Sequence, residues 1–195
     1  MTTTRNRILE GARAVVAMRG DVREVVVADL LEAGGVSRRT FYKQFRSAED
    51  AIAVMYEHMA EDMDRQIEQA LSDAPDPLRA ILNSLDAYLS FVLENDPLVT
   101  VLHAEAVRPG SLLGPARGRV LDRQTRRLAD GVRDTLGVDV DPWVWLGLFL
   151  AVEGLVIEAG TPFDSASRSR VRAVIRPMFV AVIAAVEHLP RSSSC

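Results

Sequence analysis

Apolar positions along this chain recur three and four apart, and the period-two alternation of half-buried strands is missing. Ile8, Leu9, Ala12, Val15 and Val16 line one side of a first helix that Gly20 terminates. Val27 to Ala33 predicts a second, short helix. Ser37 is placed to cap a third, running to about Gln44, because its hydroxyl can accept from a backbone N–H two or three residues on. In Ser47-Ala48-Glu49-Asp50 an acid follows a capping hydroxyl by three residues. A long helix is expected from there to about Ser72, with Ile52, Met55, Tyr56, Met59, Met63 and Ile67 along one side. Asp-Pro at 76–77, 96–97 and 141–142 marks three later starts: the carboxylate accepts orphan amides, and proline fits the first helical position at little cost. Helices are therefore expected near 77–94, 97–107, 115–136, 142–160 and 167–189, and the fold class is all-α.

An apolar share of 48 % over 195 residues suffices for one good-sized core, or for one small and one larger helical unit. No run of eighteen apolar residues occurs, and "MTTTRNRILEGARAV" lacks the apolar core and cleavage site of a signal peptide. A cytoplasmic location with no membrane partner is the expectation. Cys195 is the only cysteine, which excludes an intrachain disulfide and gives no metal-ligand cluster, so neither metal nor cofactor is expected. The net charge of −4 argues against indiscriminate coating of nucleic acid, yet it conceals an asymmetry. Residues 1–47 carry a cationic surplus and the remainder a larger acidic one; from Ala33 to Ala48 there are four cations and no acid.

Those cations sit in "GGVSRRTFYKQF" and the residue after it. Gly35 permits a sharp turn between two short helices, and Val36, Phe41 and Phe45 can face inward. Arg39, Tyr42, Lys43 and Arg46 then recur at offsets of three, four and seven, with Arg38 alongside, making a cationic face with one aromatic hydroxyl. Such a face suits a recognition helix: arginines near its N-terminal end fork onto guanine O6 and N7, while Tyr42 and Lys43 reach phosphate oxygens. A solvated basic face on a helical hairpin would carry the same residues, and it is the surrounding order of helices that favours DNA.

Residues 7 to 56, "RILEGARAVVAMRG" through "VADLLEAGGVSRRTFYKQFRSAEDAIAVMY", resemble the DNA-binding region of the tetracycline-repressor (TetR) family of transcriptional regulators. The resemblance implies an all-helical homodimer, with an N-terminal three-helix unit on double-stranded operator DNA and a larger, variable helical domain that binds a small effector. It places Ser37, Arg38, Arg39, Thr40, Tyr42 and Lys43 where the family contacts DNA. The implied organisation is a helix-turn-helix domain over 1–47, a ligand-binding and dimerisation domain over 48–189, and a flexible tail over 190–195. Two departures stand out. Val26 occupies the place of a threonine that caps the second helix and touches phosphate, and Ala48 that of a phosphate-anchoring lysine, for which Arg46 is the substitute at hand. Leu31 replaces a usually small residue, and the segment after Gly20 is one residue longer than usual. Arg5 and Arg7 either reach the DNA backbone or minor groove or are ordinary solvated residues.

In the acidic remainder, "DPWVWLGLFLAVEGLVIEAG" is apolar nearly all round, so its helix needs cover on more than one side. Gly147, Ala151 and Gly154 form a small-residue strip, and Val174, Met178 and Val182 belong to a last helix with similar excess. Either both helices are monomer core or, as the family's dimers are built, they form a four-helix seam with a second copy. An effector pocket among the long fourth helix and the helices after it would draw on Met55, Met59, Met63, Tyr88, Phe91, His103, Trp145 and Phe149, with Trp143 as a further flat wall. Glu153, ionisable within an apolar helix, faces a cationic or hydroxylated ligand or pairs with an arginine across the seam. Arg168, Arg172 and Arg176, four apart, read as a solvated stripe, and Pro177 is expected to kink the last helix. No nucleophile elbow, P-loop, dinucleotide fingerprint or metal-spaced cluster is present, so no catalytic residue is expected. A helical adaptor that no longer binds DNA is the remaining rival, kept open by Val26 and Ala48.

Overall fold

A computed structural model of the chain describes residues 3–72 and 76–188; the expected tail over 190–195, and the expected end of the last helix at 189, lie outside them. Nine α-helices and no strand are found among the described residues. The chain groups into two compact units, Met1–Asp62 with Asn95–Arg117, and Met63–Glu94 with Gly118–Cys195.

The first unit opens with α1 (Thr4–Arg19), whose first turn is capped by the Thr3 side chain accepting from the Asn6 N–H at 3.2 Å. Ile8, Leu9, Ala12, Val15 and Val16 are its buried stripe, as the periodicity predicts, and Gly20 ends it in the left-handed conformation at φ 69°. A single 3-10 turn, Val22–Glu24, which the periodicity does not announce, leads to α2 (Val27–Gly34). The two helices meet through paired glycines. A Cβ on Gly11 would stand 2.8 Å from the Gly34 backbone nitrogen, and one on Gly34 would stand 3.3 Å from Ile8 Cα. Gly35, at φ 58°, then turns the chain, its N–H bonded to the Glu32 carbonyl, into α3 (Arg38–Tyr42).

α4 (Ala48–Ser72) starts on a reciprocal cap: the Ser47 hydroxyl accepts from the Asp50 N–H at 3.2 Å, and the Asp50 carboxylate accepts from the Arg46 N–H at 2.9 Å. Arg13 of α1 pairs with Asp62 at 2.8 Å. The helix α6 (Leu98–Val107) packs on α1 and on the 3-10 turn, so Asn95–Arg117, grouped at the sequence level with 48–189, is compact with the N-terminal helices. The Asp-Pro signature works differently here than expected. Pro97 occupies the cap position without a side-chain bond, and the Asp96 carboxylate accepts from the Thr100 hydroxyl at 2.7 Å instead.

In the second unit the remaining Asp-Pro signatures act as expected. Asp76 accepts from the Arg79 N–H at 2.8 Å to begin α5 (Pro77–Glu94), and Asp141 from the Trp143 N–H at 2.9 Å to begin α8 (Pro142–Ala159). Asp164 caps α9 (Ser165–Glu187) by accepting from the Ser167 N–H at 2.8 Å, and α9 runs on through Pro177. α9 packs on α5 and α8 and buries Val171, Ile175, Phe179, Ile183 and Val186. Of the expected solvated stripe, Arg172 is partly exposed yet paired, its guanidinium donating to the Asp86 carboxylate of α5 at 2.7 Å, and Arg168 and Arg176 are half-buried on the same helix. α7 (Gly114–Leu136) is tied to the end of α4 by Arg123–Asp64 and Arg127–Glu68, both at 2.8 Å.

Candidate nucleic-acid interface

Only five residues of α3 are helical, too few to be stable alone. Two apolar anchors hold the segment: Phe41 is wholly buried and Phe45 nearly so, their ring centroids 5.8 Å apart. The Ser37 hydroxyl accepts from the Thr40 N–H at 3.2 Å and lies 2.8 Å from the Thr40 hydroxyl, so these two polar side chains fasten the first turn. With one side of the helix fixed inward, the other is set by geometry. Ser37, Arg38, Arg39, Tyr42, Lys43 and Arg46 are all exposed, and Thr40 is half-buried. The Tyr42 ring stands edge-on to Phe41 at 5.4 Å, which fixes its direction while its hydroxyl end stays in solvent.

The side chain of Arg46 is 92 % exposed and only loosely paired with Asp50 at 3.4 Å. A surface pair of that kind contributes little, so the guanidinium is available to another anion. The backbone N–H of Arg46, then its side chain, hold the Asp50 carboxyl below its ordinary range, keeping the α4 cap ionised. Val26 is 54 % exposed at the start of α2 and offers no hydroxyl. Only the reverse half of a capping box is present: the Asp29 carboxylate accepts from the Val26 N–H at 3.1 Å, is depressed by that bond, and is braced by Arg19 at 3.0 Å. Ala48 is buried. Of the two arginines near the start of α1, Arg7 is exposed, while Arg5 lies against Phe45, 4.7 Å from the ring centroid.

No protein-family model matches the sequence, and no curated protein matches it. Solved structures do. The fatty acid degradation regulator FadR from Bacillus halodurans superposes with a TM-score of 0.76 at 14 % identity, covering 98 % of this chain and 99 % of its own. The TetR-family transcriptional regulator PfmR from Thermus thermophilus gives 0.61 at 23 % identity over 98 % and 100 %. The chain has the TetR-family fold. NemR from E. coli, in its reduced form, adds a TM-score of 0.64 at 20 % identity over 90 % and 96 %. In this TetR-type fold Arg38, Arg39 and Tyr42 of the basic face lie on the third of the N-terminal helices, and Lys43 and Arg46 lie past its end, short of the helix expected to about Gln44.

The residues expected around an effector divide between the two compact units. Met55, Met59 and His103 are buried in the first; Met63, Phe91, Trp145 and Glu153 are buried in the second, with Tyr88 and Phe149 half-buried there. Trp143 is 78 % exposed. Trp145 is fully buried, and its indole N–H has no hydrogen-bond partner among the described residues. The buried Thr125 hydroxyl of α7, which no sequence pattern singles out, is likewise unpartnered. No group of three or more His, Cys, Asp or Glu that could hold a metal ion is found among the described residues.

The residues expected at a dimer seam are uncovered. Gly147, Gly154, Val174 and Met178 are exposed and Ala151 and Val182 half-buried; Leu150, Val144 and Val180 add to the apolar surface. A Cβ on Gly147 or Gly154 would meet nothing within 4 Å. By length and composition alone, α8 is also apolar enough to cross a membrane.

Proposed function

We propose that the protein is a ligand-responsive, DNA-binding transcriptional regulator: a cytoplasmic homodimeric repressor released from double-stranded operator DNA by a small apolar or aromatic effector. The observation that carries this reading is the exposed cationic face of Arg38, Arg39, Tyr42, Lys43 and Arg46, on a short helix and the residues just after it, held from behind by Phe41 and Phe45. Cations flanked by one aromatic hydroxyl suit a major groove and its phosphates, and the TetR-type fold supports that use. No catalytic role is assigned to any residue.

A second copy is the natural cover for α8 and α9, whose apolar faces are otherwise in water. Within the second unit, the buried, unpartnered indole N–H of Trp145 supports an effector that presents a hydrogen-bond acceptor to it, with Glu153 as an ionisable residue on the same helix. α4 begins directly after the reading face and ends in that unit, so a ligand that displaces its far end acts on the face through one continuous helix.

Two measurements test the reading. Fragments selected from random duplex DNA should share a palindrome with half-sites about 34 Å apart and bind with steep salt dependence; equal affinity for every sequence, or none for any, refutes DNA recognition. Compounds that release the selected operator should lose potency against Trp145→Phe, which keeps an aromatic ring and deletes the N–H. Unchanged release would place the effector elsewhere.

A further inference from the structure

The reading face is joined to the beginning of the chain by a contact with no counterpart in the expectations for either arginine. Arg5, on the first turn of α1, places its guanidinium over the Phe45 ring, 4.7 Å from the centroid, and donates through one terminal nitrogen to the Gln44 carbonyl at 3.4 Å. Gln44 and Phe45 come one residue after the end of α3; their N–H groups both donate to the Phe41 carbonyl, at 2.8 Å and 3.0 Å, so the last turn is closed through them. The Gln44 carbonyl is therefore one of the terminal acceptors that a helix cannot satisfy itself. From Phe45 the contact continues ring to ring, to Phe41 at 5.8 Å and from Phe41 to Tyr42 at 5.4 Å, and Tyr42 is exposed on the cationic face. The charge of Arg5 also acts on Asp50, whose carboxylate caps the next helix.

We propose that Arg5 is a positioning residue for DNA recognition: its guanidinium clamps the end of the recognition helix against α1 and, through Phe45 and Phe41, sets the direction of Tyr42. This rests on the reading of the α3 face as the DNA-binding surface. Arg5 itself does not touch DNA in this arrangement. A cation held over one ring and one carbonyl is already engaged, and pulling it toward a phosphate would release the segment it holds.

A phosphate contact and a positioning contact leave different signatures in salt. Each phosphate-bound cation contributes roughly 0.9 to the slope of log affinity against log salt, so losing one lowers the slope by that amount. A positioning residue lowers affinity while the slope stays, because the number of phosphates neutralised is unchanged. The test uses full-length protein and the selected operator, well below the melting temperature, with parent, Arg5→Gln, Arg5→Lys, Tyr42→Phe and the Arg5→Gln/Tyr42→Phe double variant. Expected for Arg5→Gln is a loss of roughly two- to fivefold, the range of an exposed cation–π contact, at unchanged slope. Arg5→Lys should recover part of that loss, since an ammonium still sits over a ring but cannot fork to the carbonyl as well. The Tyr42→Phe loss should be smaller in the Arg5→Gln background than in the parent, and the Tyr42 ring-proton NMR shifts should change in Arg5→Gln without DNA.

A slope that drops by about one unit overturns the proposal in favour of a direct phosphate contact. So does unchanged affinity with a lowered melting temperature, which would make Arg5 a stabilising residue only. If the parent binds no selected fragment, the DNA-binding reading itself falls and the proposal falls with it; if the parent binds and Arg5→Gln binds equally well, only the proposal falls.

Discussion

At Gly11 a methyl group would arrive 2.8 Å from a backbone nitrogen and about as close to the Ala33 carbonyl carbon, atoms that cannot swing aside as the end of a flexible side chain can. Gly11→Ala should therefore destabilise the protein by about 1–3 kcal/mol, the cost of overpacking. Gly118→Ala, in a helix where nothing lies within 4 Å, should be neutral or stabilising by up to about 1 kcal/mol. Thermal melts of the two variants beside the parent check both. On the reading face, Arg39→Ala should cost about 1–3 kcal/mol of operator binding and relax specificity at one base position, whereas Tyr42→Phe should weaken all sequences alike. Fluorescence titration against a panel of single-base operator variants separates the two patterns. Periodicity made Phe41, Phe45 and the outward cations legible, because burial and exposure on one helix repeat with its turn. It was silent on Gly11 and Gly34, since a missing side chain leaves no periodic trace and close backbone approach is a property of two helices together. Arg5 was legible only as a charge; that it lies on Phe45 follows from the packing of α1 against the residues after α3.

Helix starts were the most readable elements, because a cap is a local bargain between one side chain and an amide two or three residues on. Ser37, Ser47, Asp76 and Asp141 all act as their neighbourhood in sequence suggests. The same logic missed at Asp96, where the Thr100 hydroxyl four residues on competes for the carboxylate. The Asp50 cap makes a pH prediction. The Arg46 N–H, ahead of any other group, lowers the folded-state pKa of Asp50 below its unfolded value. Its contribution to stability is thus full above the ordinary carboxylate range of about 4 and is lost as pH falls through the lowered folded value. The parent should exceed Asp50→Ala in melting temperature at neutral pH, and the gap should close on acidification through that window. A gap that stays constant with pH would mean that the carboxylate's charge contributes nothing to the cap.

For the molecule as a whole, the apolar excess of α8 and α9 was visible in the sequence, but whether it faced a core or water was not. The structure answers by position: Trp145, Leu148, Val152 and Val156 go inward while Val144, Leu150, Val174 and Met178 remain outside. Nor did the sequence show that α6 packs with the N-terminal helices, because contacts between distant segments have no local signature. Gly154→Arg, a cation placed on the exposed strip where a Cβ meets nothing, should leave the chain folded and reduce its assembly. Sedimentation of the parent as a dimer and of the variant as a folded monomer is the expected pair of results; a monomeric parent at micromolar concentration would remove the case for a palindromic operator. If that uncovered strip pairs two copies, it ties occupancy to abundance. When copies are scarce relative to the strength of their association, paired molecules vary with the square of the total, so halving the supply leaves about a quarter of them. A target site reading two heads at once would then respond to expression level as a threshold, steeper than the affinity of either head could make it.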